Sequence, residues 1–195
     1  MRILRESDVA FVNSFFEERV DRLFELAARL HEALSSAGIE YRVVGGLAVY
    51  LYVEEAEPDA GRLTRDIDIV VRREDLQPIV SAVEPFGFTY RRAAGVDMLV
   101  DRAAPSAKRA VHLVFAGEKV RPEYETPVPS LASERKLRGV PLIPLRDLVR
   151  MKLTSFRAKD EAHLKDLDEA GLLTPDIEAD LPPTLLERLR QMRRR

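Results

Sequence analysis

Two aspartates, Asp66 and Asp68, stand two residues apart at the head of an apolar, β-branched run that continues Ile69-Val70-Val71. Side chains alternate across a strand, so both carboxylates leave the same face, with Cα atoms about 6–7 Å apart. From one side they can hold a hard divalent cation or a close pair, and such a cation suits a phosphate-bearing ligand. Upstream, Gly45-Gly46 joins a short strand-like run, Tyr41-Arg42-Val43-Val44, to an apolar helix-like one. Glycine lets backbone approach a ligand closely, and a helix starting there presents unpaired N–H groups to an anion. Thr64 adds a hydroxyl near the same place. Asp-x-Asp alone is common at strand edges, and Gly-Gly is often only a turn. What points to chemistry is their combination in a strand–turn–helix–loop–strand frame.

The elements that must hold these groups follow from periodicity. Phe16, Val20, Leu23, Ala27, Leu30 and Leu34 recur at three- and four-residue spacing, with Phe15, Phe24 and Leu26 widening the stripe, and predict a helix over 11–34. Strands are expected at 41–44, 64–71, 88–91, 97–100 and 110–115, and helices at 47–53 and 73–86. The segment 121–144 is rich in Pro and charge and is expected to wrap the surface. A single helix is predicted over 145–170, closed by Gly171, with a short one from Pro183. The fold class is α+β: a small mixed sheet with helices packed on one side. Residues 1–128 form the core with its N-terminal helix, and 129–195 a C-terminal helical extension on that same core.

The 195 residues are 46% hydrophobic, enough to bury a core. Thirty-one basic and 33 acidic residues leave a net charge near −2, which demands no nucleic-acid partner. The chain has no cysteine, so disulfides, thiolate zinc sites and cysteine nucleophiles are excluded. The start, Met1-Arg2-Ile3-Leu4-Arg5, lacks a signal-peptide run, and no apolar stretch approaches membrane length. A cytoplasmic protein without a membrane partner is the expectation, and a homodimer is compatible with it.

Gly45-Gly46 followed by Arg62-Leu63-Thr64-Arg65-Asp66-Ile67-Asp68 resembles the signature of the nucleotidyltransferase superfamily, which includes DNA polymerase beta and the minimal antibiotic-type enzymes. More narrowly it is similar to the AbiEii-type, toxin–antitoxin-like branch. The resemblance covers about 41–115, with support from the helix 148–167. It implies transfer of a nucleoside monophosphate from an NTP to a hydroxyl of a tRNA, a protein or a small molecule, with Mg²⁺ or Mn²⁺ as cofactor. It assigns the triphosphate to Gly45 and Gly46 and the metal to Asp66 and Asp68. Thr64 and Arg62 lie close enough to contact phosphates; Arg65 points to the opposite strand face from Asp66, so Arg62 is the better candidate. On the later helix Lys152 matches the branch's lysine, and Asp160 or Asp166 its Lys/Arg-Asp pair. Lys152, Lys159 and His163 share a helical side, seven and four residues apart.

The pattern breaks at one position. The superfamily places a third carboxylate in a hydrophobic-Asp-hydrophobic run, and here Val111-His112-Leu113-Val114-Phe115 puts His112 there. Three readings follow. His112 acts as base or ligand in a modified enzyme; Asp97 or Asp101 supplies the missing carboxylate; or the chain binds nucleotide without transferring it. Imidazole accepts a proton near neutral pH but is a poor magnesium ligand.

Overall fold

A computed structural model describes residues 6–194, with side chains from Val20 onward except Lys108. The readings on residues 1–5, on the side chains of Phe15 and Phe16, and on Arg195 lie outside them. Helix α1 (Glu6–Ser36) precedes strand β1 (Arg42–Val44), helix α2 (Gly45–Ala56) and strand β2 (Ile67–Val71). Helix α3 (Leu76–Val83) leads to strands β3 (Phe88–Ala93), β4 (Val96–Asp101) and β5 (Val111–Phe115). Strands β6 (Arg135–Leu137) and β7 (Val140–Leu142) are followed by helices α4 (Leu145–Ser155), α5 (Ala158–Glu169), α6 (Pro175–Ala179) and α7 (Pro183–Arg193).

The strands form one mixed seven-stranded sheet in the order β3-β4-β5-β2-β1-β7-β6. β2 runs antiparallel to β1 and parallel to β5, and β1 is parallel to β7. Alternation sorts the central strands into two faces. Ile67, Ile69 and Val71, with Val43, Val111, Leu113 and Phe115 in register beside them, form one buried face. Asp68, Val44 and His112 lie in one row across the other. α2 packs against β1 and β2 and against α4 and α5, while α1 packs on α3. On α1, Leu23, Ala27, Leu30 and Leu34 of the predicted stripe are buried, with Leu26 beside them as expected; Ala33 joins them, while Val20 and Phe24 are half-buried. Each fully buried leucine there contributes about 1.5–3 kcal/mol relative to exposure. The α+β class with a mixed sheet and flanking helices is as expected.

Three local readings differ. β2 begins at Ile67, not Thr64, so Asp66 precedes the strand; the Thr64 hydroxyl bonds the Asp66 carboxylate at 2.8 Å and gives that segment a local partner outside the ladder. The segment 121–144 supplies β6 and β7 to the sheet as well as covering surface. Each of these strands is three residues long, too short for alternation to register. Arg42, buried on β1, anchors the chain just before them by donating to the carbonyls of Leu131 and Ser133 at 2.8 and 3.0 Å.

The long helix expected over 145–170 is broken. Phe156 adopts a left-handed conformation (φ 42°, ψ 41°) and ends α4. Asp160 then accepts from the Arg157 backbone N–H at 3.3 Å and starts α5. Neither glycine nor proline marks the break. It is held from outside: Arg188 on α7 donates to the carbonyls of Leu153 and Thr154 at 2.7 and 2.9 Å. These are carbonyls that a helix end leaves without intrahelical donors. Replacing Arg188 by alanine removes both bonds and is expected to destabilise the fold by about 2 kcal/mol, measured by urea unfolding.

Candidate metal and phosphate site

The ladder register builds the site. Asp68 on β2 lies opposite Val44, the last residue of β1, and opposite His112 on β5. Gly45, the next residue after Val44, has φ +69°. A Cβ on Gly45 would sit 1.9 Å from Asp68 Oδ2, and one on Gly46 2.7 Å from Thr64 Oγ1. The two glycines thus admit the site's own side chains against the start of α2. No side chain caps this helix end, so its first N–H groups lie free of an internal side-chain acceptor beside the two carboxylates.

Asp66, Asp68 and His112 offer one ligand atom each, all within 4.8 Å of one another. This is the one such group of three or more among the described residues. His112 Nδ1 is 3.2 Å from Asp68 Oδ1 and 3.7 Å from Asp66 Oδ2. Thr64 holds the other Asp66 oxygen, Oδ1, leaving Oδ2 toward the imidazole. All three side chains keep 22–27% of their surface exposed, so an ion can reach them from solvent. Two carboxylates and an imidazole at these separations fit a divalent cation.

The charges are balanced from several sides. Burial pushes the Asp68 carboxyl up, but the hydrogen bond and charge of His112, with the charges of Lys152 and Lys159, hold it below its ordinary value. The same hydrogen bond to Asp68 raises the His112 imidazole against the opposing effect of burial, with Asp66 adding to the rise.

Lys152 belongs to a second, adjoining cluster. It is buried, and Nζ donates to Asp160 Oδ1 at 3.2 Å and to His163 Nδ1 at 3.0 Å. Asp160 is fully buried and also accepts from Ser155 Oγ and Arg157 Nε, both at 2.8 Å. Burial pushes the Asp160 carboxyl up, but the bonds from Arg157, Lys152 and Ser155 prevail and bring it to about 2. Burial and the neighbouring Lys152 push the His163 imidazole down to about 4, so it is a neutral acceptor. Lys152 and His163 would lie about three turns apart on one side of a continuous helix, and they meet at 3.0 Å because the chain breaks between them.

Other candidates are not brought to the group. Arg62 turns outward and pairs with Asp166 of α5 through bonds of 3.0 and 3.1 Å. Asp97 and Asp101, expected as alternative third carboxylates, are excluded by register. Asp97 pairs with Leu113, not with His112, so it points to the opposite sheet face. There it accepts from the Tyr90 hydroxyl at 2.5 Å. Asp101 lies four residues further along the same face and pairs with Arg29 at 2.6 Å. One contact had no sequence signal: His112 Nε2 lies 3.3 Å from the carbonyl of Ala107.

The fold is nucleotidyltransferase-like. It is similar to the crystal structure of an antigenic nucleotidyltransferase-like protein from Paracoccidioides brasiliensis, with 19% identity over 89% of this chain and 88% of that one and a TM-score of 0.57. It is also similar to the Megavirus polyadenylate synthase, with 11% identity and a TM-score of 0.51, covering 89% of this chain and 39% of that one. No family model and no curated protein matches the sequence. Among the described residues no helix is long and apolar enough to cross a membrane.

Two outcomes are expected from this geometry. Gly45→Ala forces a left-handed alanine and a Cβ into the Asp68 carboxylate, costing about 1–3 kcal/mol in unfolding measurements, whereas Gly46→Ala, facing a single hydroxyl and methine, costs less. In an NMR pH titration of the metal-free protein, His112 is expected to titrate above its ordinary 6.5, falling back in Asp68→Asn. The sign for stability follows. The raised imidazole contributes fully below 6.5 and loses its contribution as pH rises through its folded value. The depressed Asp68 carboxyl contributes fully above 3.8 and loses it as pH falls through its lower folded value. The difference in unfolding free energy between wild type and Asp68→Asn should therefore peak between these two ordinary values.

Proposed function

We propose that the chain binds a nucleoside triphosphate through a divalent cation, Mg²⁺ or Mn²⁺, on a nucleotidyltransferase-like scaffold whose transfer step is impaired. Asp66 and Asp68 hold the cation, and the first N–H groups of α2 at Gly45 and Gly46 receive the phosphates, with Thr64 beside them. A bound cation would neutralise the triphosphate and polarise the bond to its diphosphate leaving group. Lys152 adds positive charge that acts on Asp68 and is held in place by Asp160 and His163. The contact between Lys152 and Asp160 supports the narrower likeness to the AbiEii-type branch, in which a lysine on this helix and a following Lys/Arg-Asp pair, here Lys159-Asp160, are expected at the site.

The observation that carries the impaired reading is His112 in the position across from Asp68. In the superfamily resemblance a carboxylate there holds a catalytic metal and helps deprotonate the acceptor hydroxyl. His112 brings no negative charge to a second ion. A second reading, transfer to the hydroxyl of a tRNA, protein or small molecule with His112 as ligand or base, is favoured by the imidazole's direct position between both carboxylates.

Calorimetry with NTPs in Mg²⁺ or Mn²⁺ tests this. Binding is expected in the wild type and should weaken at least about tenfold in Asp66→Asn and Asp68→Asn. Radiolabelled NTP should leave no label on bulk RNA or protein with the wild type, and His112→Asp should restore labelling. Label transfer by the wild type would favour the second reading; absence of NTP binding under both metals would overturn both.

A further inference from the structure

We infer that the Asp66–Asp68–His112 site is built for a first-row transition ion that accepts nitrogen, Mn²⁺ in preference to Mg²⁺. The inference rests on the cation site proposed above and concerns which ion it selects.

Three features of the site lead there. The first is the orientation of the imidazole. A backbone carbonyl can only accept, so the contact of His112 Nε2 with the Ala107 carbonyl at 3.3 Å requires the proton on Nε2. Nδ1 faces Asp68 Oδ1 at 3.2 Å, an oxygen that also only accepts, so in the metal-free site it donates its own proton there, and a cation between the carboxylates would take that proton's place. A histidine that donates its far N–H to a backbone carbonyl while its near nitrogen faces anionic donors has the arrangement of a metal ligand. Ala107 begins the short helical turn that leads into β5, so the brace and the ligand sit on adjoining parts of one segment.

The second is spacing. Neighbouring ligands about 2.1 Å from one ion at right angles lie about 3 Å apart. Nδ1 lies 3.2 Å from Asp68 Oδ1 and 3.7 Å from Asp66 Oδ2, so small movements close three ligands around one ion. A structural imidazolium–carboxylate pair would account for Asp68 alone. It leaves unexplained why Thr64 fixes one oxygen of Asp66 and presents the other to the same nitrogen.

The third is donor type. Mg²⁺ takes oxygen donors and gives up its water reluctantly, whereas imidazole and carboxylate together suit first-row transition ions, with affinity rising from Mn²⁺ to Co²⁺. Exchanging a carboxylate for imidazole thus costs Mg²⁺ both a charge and a preferred donor, and costs Mn²⁺ mainly the charge.

Direct binding measurements decide it, without reference to turnover. Calorimetry on the wild-type protein, with Mn²⁺ also followed by the EPR signal of the free ion, should show Mn²⁺ bound at least about tenfold more tightly than Mg²⁺. In His112→Asp, checked for folding by circular dichroism, that ratio should shrink by about tenfold as Mg²⁺ gains. If His112→Asp does not fold, the wild type still answers: on adding diamagnetic Zn²⁺, the Nδ1 resonance of His112 should shift as a metal-bound nitrogen does, with Nε2 remaining protonated. Equal affinities for Mg²⁺ and Mn²⁺, or an unmoved Nδ1 resonance with Zn²⁺ bound, would overturn the selectivity while leaving the cation site in place. No binding of any of these ions, with or without NTP, would overturn the cation site itself.

Discussion

Two like charges held within a few ångströms of each other repel, and the rest of this molecule can be understood by how it offsets that repulsion. Asp66 and Asp68 meet a hydroxyl from Thr64, the imidazole of His112, and the more distant charges of Lys152 and Lys159. The uncapped start of α2 adds the positive end of a helix dipole. Each contribution is modest near the surface, and together they keep the Asp68 carboxyl ionised despite its surroundings. A site that holds its carboxylates ionised without an ion is also ready to accept one, at the cost of displacing His112 from its hydrogen bond or recruiting it as a ligand.

Backbone geometry makes this crowding feasible. The Asp68 carboxylate lies against Gly45 so closely that any β-carbon there would overlap it. The glycine pair therefore serves the protein's own acid first and a phosphate second. The same turn ends β1 and begins α2, so the strand that sets the register of Asp68 and the helix whose N–H groups would meet an anion are consecutive in the chain. Little freedom remains between them, as a preorganised electrostatic site requires.

The adjoining buried cluster solves a different problem. A lysine with almost no exposed surface is costly unless paired. The break at Phe156 turns α5 back so that Asp160 and His163 reach Lys152. Asp160 also serves as the N-terminal acceptor that lets α5 restart. Arg188 secures the other side of the break by satisfying the last carbonyls of α4. One irregularity thereby joins the C-terminal helices to the charge balance of the site.

The pattern of side chains alone was enough to single out Gly45, Gly46, Thr64, Asp66 and Asp68, and the class of sheet that carries them, because strand alternation and glycine turns act over a few residues; His112 came from the resemblance, as the residue standing where the superfamily places a carboxylate. The same reading pointed to Asp97 and Asp101 as substitutes for the third carboxylate, since nearness along the chain carries no information about which sheet face a neighbouring strand turns toward the site. Residue counting also joined α4 and α5 into one helix and put Lys152, Lys159 and His163 in a row. The bonds that break that helix come from Arg188, far along the chain, and from a left-handed Phe156 with no glycine to announce it. Local chemistry named the acids and the turn beside them. Cross-strand register and long-range hydrogen bonding chose the company those acids keep, because pairing partners distant in the chain are settled by the energy of the assembled core and leave no mark in the local order of residues.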